Sequence, residues 1–187
     1  MPRRTVIYRN RMEIRVSRLD LENWYEGSLR VLCSATSQAQ AYGLTLQEQA
    51  RSSGLKSEAA MVSKVFGDYG VTIRSFLRSP NDAASVCVDS VMASIVQETQ
   101  RIDGGYSIEV SVLAQISGMA GVLSHCARAF QEASDLAKCL GHHEQAIDFE
   151  WMRDECGAHK YKCHLMSEGL RAAILANLTE SVTAAVY

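Results

Sequence analysis

Between Ser107 and Leu140 the residues Val112, Ile116, Met119, Leu123, Cys126, Phe130, Ala133, Ala137 and Leu140 recur at alternating intervals of four and three. Only an α-helix gathers such positions into one stripe, and an apolar stripe of that length has to be covered by something. At its centre stands Ser117-Gly118-Met119-Ala120-Gly121, small residues that lower helix propensity but let a neighbour come close. Gly118, Met119, Gly121 and Leu123 are therefore the expected helix-contact residues.

The rest of the chain reads as material to cover that stripe. After Gly141-His142-His143 a second seam begins, in which Phe149, Met152, Cys156, His159, Cys163, Met166, Leu170 and Ala173 repeat at threes and fours. Upstream, Ser79-Pro80-Asn81-Asp82 reads as a helix stop and a fresh start. From it Ala84, Val88, Val91, Ile95 and Ile102 form a stripe that ends at the turn Asp103-Gly104-Gly105. Nearer the N-terminus, Leu21, Trp24, Tyr25, Leu29, Leu32, Cys33 and Ala35 predict a helix from Leu19, capped by Asp20 and ending near Ala41, before Gly43. Residues 5–16 alone carry a β-like pattern. The expected fold is an all-α, up-down helical bundle with long C-terminal helices and a short basic N-terminal arm or β-hairpin. Its divisions are the arm at 1–18, an N-terminal helical segment at 19–79 and an antiparallel bundle at 80–187.

Charge is divided along the chain. Residues 1–79 hold 12 Lys/Arg against 7 Asp/Glu, and residues 80–187 hold 7 against 14, so the net charge of -2 conceals two opposite halves. Such halves suit the stacking of copies, and Arg3, Arg4, Arg9, Arg11, Arg15 and Arg18 form a candidate anion or nucleic-acid arm. With 187 residues the chain can bury a core without crosslinks, and its six cysteines are expected to stay thiols. No apolar run of membrane-spanning length and no signal peptide is read in it. The expected location is a cytoplasm, or a phage or viral particle, with no membrane contact.

Motifs of catalysis are sparse. The glycine pairs lack the spacing and the Lys-Ser/Thr of a phosphate loop, and no Gly-x-Ser-x-Gly elbow occurs. Glu144, Asp148, Glu150, Asp154 and Glu155 are expected on a solvated acidic face. All five histidines and four of the six cysteines lie between residues 125 and 164. Folding back at Gly141 should bring Cys126 near residue 158, so Cys126, Cys156, His159 and Cys163 are expected in one cluster. It is either packed thiols around a hydrogen-bonded histidine or, as the alternative, a zinc site.

Residues 44–78 carry a resemblance. Thr45, Glu48, Ala50, Gly54 and Leu55 resemble the first helix and turn of a TetR-type helix-turn-helix, in which a small Ala packs under the turn. The resemblance implies a DNA-binding regulator that reads through Ser57 to Lys64 and dimerises through its C-terminal bundle. The residues themselves point instead to a non-enzymatic subunit of self-assembly or protein interaction, in a structural, scaffold or adaptor role. Its partner is then a second copy or another protein, and its cofactor none, zinc excepted.

Overall fold

A computed structural model of the chain describes residues 5–9, 12–79, 89–103 and 107–184, and the side chains of 16–79, 89–101 and 107–177. Among them, β1 (Thr5–Arg9) and β2 (Met12–Val16) are followed by five helices: α1 (Arg18–Gln49), α2 (Ser53–Phe76), α3 (Ser90–Asp103), α4 (Ile108–Leu140) and α5 (His143–Ala184). The strands pair antiparallel, with Thr5 opposite Val16 and Arg9 opposite Met12. The bundle is all-α apart from this hairpin.

The start of α1 lies one step before its expected position. Ser17 Oγ accepts from Asp20 N–H at 3.1 Å while Asp20 Oδ2 accepts from Ser17 N–H at 3.1 Å, a reciprocal capping box in which Asp20 is the third helical residue rather than the cap. Nor does α1 stop before Gly43; it runs through to Gln49. Gly43 sits inside the helix because α2 passes so close that a Cβ there would stand 3.0 Å from Ala59 O and 3.0 Å from Ser63 Cβ. A residue that reads as a terminator is in fact a contact point.

Ser52 caps α2 by accepting from Leu55 N–H, in place of the expected Gly54 and Ser57. From there α2 returns along α1, with Gly70 over Thr36 and Arg78 reaching Glu22 at 2.9 Å. This differs from the crossed pair that the resemblance implies. Residues 44–49 complete a 32-residue helix, and 53–76 are one 24-residue helix antiparallel to it, whereas that motif needs two short helices crossed at about 90–120°. Gln49 and Ser53, exposed at the junction, would have to be apolar to support the crossed pair.

The restart expected at Pro80, with Ala84 and Val88, lies outside the described residues. Within them α3 is capped by Asp89, whose Oδ1 accepts from the N–H groups of Val91 and Met92, each at 3.0 Å. Met92, expected with Val96 to widen the stripe, is fully buried, Ile95 and Val96 pack against the core beside it, and Val91 is half exposed. α3 runs antiparallel to α4, with Ile95 over Gly121 and Thr99 over Gly118. α4 ends in a left-handed cap at Gly141 (φ 82°), where His142 N–H donates to Ala137 O and Gly141 N–H to Lys138 O. This paired arrangement closes the helix and reverses the chain.

One core joins all of this. The α4 seam is buried at every position from Val112 to Leu140, and α1 and α2 supply the far wall through Leu29, Leu32, Phe66 and Ile73. Aromatic rings fill the centre: Tyr69 meets Phe130 edge-on at 5.5 Å, Phe130 stacks on Phe149 at 6.4 Å, and Phe76 meets Phe149 at 5.6 Å. Each such pair contributes roughly 0.5–1.5 kcal/mol beyond its buried area. The α5 seam is buried from Phe149 to Cys163, half-buried at Met166 and Leu170, and exposed at Ala173. Trp24, expected on the inner face of α1, points outward.

The expected lack of a span-length apolar helix needs correction as well. α4 is long and apolar enough to cross a membrane, with mean hydropathy 1.4 over its most apolar 18 residues, half of them buried in the bundle. No Asp, Glu, Lys or Arg falls between Glu109 and Arg128, because one face is core and the small residues beside it lie against α1 and α3.

Candidate functional site

The cysteine and histidine segment is a packed interior. Cys126, Cys156 and Cys163 are all buried, and burial sets their acidity. It drives the Cys126 thiol well above its usual value, with the neighbouring Cys156 adding to the effect. Cys156 is pushed up to about 12 by burial and by Glu155, and Cys163 to about 12 by burial and by Glu58. Thiols so protonated at neutral pH are poor nucleophiles. Beside Cys126 and Cys156 stands Tyr69, whose hydroxyl donates to Glu155 Oε2 at 2.5 Å. Glu155 is therefore half inside, and Glu150 pairs with Lys138, so neither belongs wholly to a solvated face.

His159, one turn along α5 from Cys156, has its partner on α2. Its Nδ1 pairs with Glu58 Oε1 of α2, and Lys162 Nζ lies 3.5 Å from Glu58 Oε2. Of the four residues expected as a zinc set, Cys126 and Cys156 lie beside Tyr69, and His159 and Cys163 lie near Glu58. Among the described residues no group of three or more His, Cys, Asp or Glu is arranged to hold a metal ion. His125, next to Cys126 in sequence, points elsewhere and pairs through Nε2 with Asp89 Oδ2 at 2.6 Å. Burial opposes the ionised form of Asp89, but the Met92 N–H, His125 and the Val91 N–H together hold its carboxyl below the usual value.

These thiols give a pH dependence with a definite sign. The folded chain holds their protons more tightly than the unfolded chain, so their contribution is complete below the ordinary thiol value of 9.0 and is lost as pH rises from there toward about 12. Urea unfolding at pH 8 and pH 10.5 should show a clearly lower midpoint at the higher pH. Replacing Cys126 and Cys156 together by alanine should lower stability at both pH values and flatten the difference between them.

Gly118 and Gly121 face α3 within the same chain. A Cβ on Gly118 would stand 2.2 Å from Thr99 Oγ1 and 2.4 Å from the Tyr42 hydroxyl, and one on Gly121 would stand 3.3 Å from Ile95 Cγ2. Met119 and Leu123 lie wholly in the core. Of the arginine arm, Arg18 binds Glu22 at 3.0 Å. Arg9 and Arg15 lie on the two strands, and Arg3, Arg4 and Arg11 are outside the described residues.

A row of exposed residues with helical spacing lies on the outside of α5. Ile147, Trp151, Ala158, Tyr161, Leu165 and Ala172 follow the same alternation of four and three as the buried seam, with Asp154 and Glu168 completing the series. Helical periodicity puts this second stripe about 150° from the first. Ile147 is 64% exposed, Trp151 59%, Tyr161 62% and Leu165 49%. No family model, curated protein or solved structure matches this chain. The reading of the stripe therefore rests on its physics.

Toward α2 the surface continues into a groove of about 320 Å³ lined by Met61, Val65, Tyr69, Trp151 and Glu155, with Met61 itself 47% exposed. A second groove, of about 610 Å³, lies between α1 and α4 beside Trp24, Arg30, Ala129 and Glu132. Sequence reasoning missed the outer stripe although its signal was present. Following one seam along 147–175 hides the other, because the two interleave on one helix.

Proposed function

We propose that the protein is a non-enzymatic helical subunit that works by binding protein, either a second copy or another chain, in a structural, scaffold or adaptor role. The observation that carries this reading is the outer stripe of α5. A helix at the edge of a bundle normally has one apolar face and one polar face; this helix has a second row of large apolar residues, which the described residues leave exposed. Exposed aromatic and branched side chains in register from Ile147 to Leu165 are costly to leave in water and are what an interface core is made of.

The buried thiols hold their protons and the buried histidine is engaged by Glu58, which favours a binding role over a nucleophilic one. Crosslinking in cells of the source, followed by peptide mapping, tests the proposal. Crosslinks from Lys160 and Lys162, which flank the stripe, to a second copy or one recurring partner are expected. Crosslinks that never include Lys160 or Lys162, while other lysines of the chain react, would contradict it.

A further inference from the structure

We infer that the groove between α2 and α5 receives a basic amphipathic segment of another protein, an apolar side chain of which lies against Met61 and Trp151 while its lysines or arginines meet Asp68 and Glu155. The inference rests on the association reading above and names the chemistry of the partner.

The groove is built by both helices. Met61, Val65 and Tyr69 of α2 line it on one side, and Trp151 and Glu155 of α5 on the other. Tyr69 fixes the α5 wall: its ring meets the Trp151 ring at 5.7 Å and 79°, and its hydroxyl donates to Glu155 Oε2. The other oxygen of Glu155 is left for a donor from outside. Trp151 and Met61 are 59% and 47% exposed, so the groove opens on apolar surface. At about 320 Å³ it takes the side chains of a segment laid across it.

Charge selects the segment. Glu144, Asp148, Trp151 and Glu155 follow one another at four, three and four, so they share one row of α5, and Asp68 of α2 lines the same groove. Acids of α5 that lie toward α4 are met within the chain, Glu150 by Lys138 and Asp154 by Arg153 at 2.7 Å. Among the described residues Asp68, Glu144, Asp148 and Glu155 enter no ion pair, and Lys64 is the one cation lining the groove. The surplus is negative. It draws a lysine- or arginine-bearing surface and repels nucleic acid, an anionic membrane or the like face of a second copy. Apolar anchors flanked by cations are what a basic amphipathic helix lays into such a groove.

The probe is a fluorescein-labelled helical peptide of leucine and lysine, with leucine at intervals of four and three. Two peptides of equal length accompany it, one with glutamate in place of lysine and one with serine in place of leucine. Fluorescence anisotropy with the full chain should show the leucine–lysine peptide bound at least tenfold more tightly than either, and added salt should loosen it. Asp68→Asn with Glu155→Gln, which keeps an acceptor for the Tyr69 hydroxyl, should weaken binding about fivefold, the size of two exposed charge pairs. Glu132→Gln with Asp135→Asn makes the same charge change at exposed positions of α4 and should leave binding as it was. With Trp24→Phe, Trp151 is the one tryptophan left, and its emission should shift to the blue as the peptide binds.

No binding of the leucine–lysine peptide up to millimolar concentration, preference for the glutamate peptide, or equal loss in the α4 variant would overturn the basic partner. So would burial of Trp151 by the chain's own association, which puts a second copy in the groove. In each of these cases, protection of Trp151 from hydroxyl radicals in extracts of the source cells would leave the association reading standing. A Trp151 that nothing protects would remove both.

Discussion

Glu58→Ala is expected to lower the stability of the fold by about 3 kcal/mol, between the range for an unpaired buried polar group, about 1–3 kcal/mol, and that for one partner of a buried ion pair, about 3–5 kcal/mol. Glu58 and His159 are 7% and 4% exposed and bind each other across the interface of α2 and α5. Removing the carboxylate strands His159 Nδ1 where water does not reach and releases Lys162. The companion variant Glu58→Leu with His159→Leu removes both polar groups at once and should return to within about 1 kcal/mol of the original chain, because the cost lies in the orphaned group rather than in losing the pair. Urea unfolding of the three proteins measures this. A loss below about 0.5 kcal/mol in the single variant would mean that the site relaxes to admit water.

Gly118→Ala should cost about 1–3 kcal/mol although it adds a single carbon. That carbon would overlap Thr99 Oγ1 and the Tyr42 hydroxyl, and neither atom yields cheaply. Thr99 is a buried β-branched residue whose hydroxyl donates to Ile95 O at 2.9 Å, and the Tyr42 ring is fixed in the core. The larger Gly118→Leu should push α3 off α4 altogether. Removing the two obstructing atoms by Thr99→Ala and Tyr42→Phe should make the alanine tolerable, so that the triple variant loses less than the sum of its parts. Thermal unfolding midpoints of the four proteins decide it. Additive losses would mean that α3 does not press on Gly118.

The fold was legible where one face is buried and the other is wet. The α4 seam from Val112 to Leu140 lies in the core as its spacing requires, and the reversal at Gly141 follows from a glycine placed to take positive φ. Local signals were weaker where tertiary contact overrides them. Gly43 reads as a stop because its role, making room for Ala59 and Ser63 of α2, is fixed by a residue pair far apart in the chain. Gly54 and Leu55 resembled a motif turn for the complementary reason, since a helix start after a short connection uses the same residue types as the turn of a helix-turn-helix.

Side-chain chemistry was less legible than topology. The hairpin brings Cys126 beside Cys156, but the partner of His159 comes from α2, and no spacing within 125–164 could have named Glu58. Likewise Asp89, the partner of His125, lies beyond that segment. The outer stripe of α5 stayed hidden for a different reason. A helix with apolar residues on two opposite sides shows almost no net amphipathicity, so the usual test for a buried face sees one seam or none.

That doubly apolar helix is the centre of the functional reading, and oxidative footprinting reads it directly. The full chain, labelled with hydroxyl radicals at low and at high concentration, reports which side chains lose contact with water. Association through the outer stripe gives concentration-dependent protection of Trp151, Tyr161 and Leu165, while Trp24 on α1 stays as reactive as before. Equal reactivity of Trp151 and Trp24 at every concentration, and in extracts of the source cells, would contradict it.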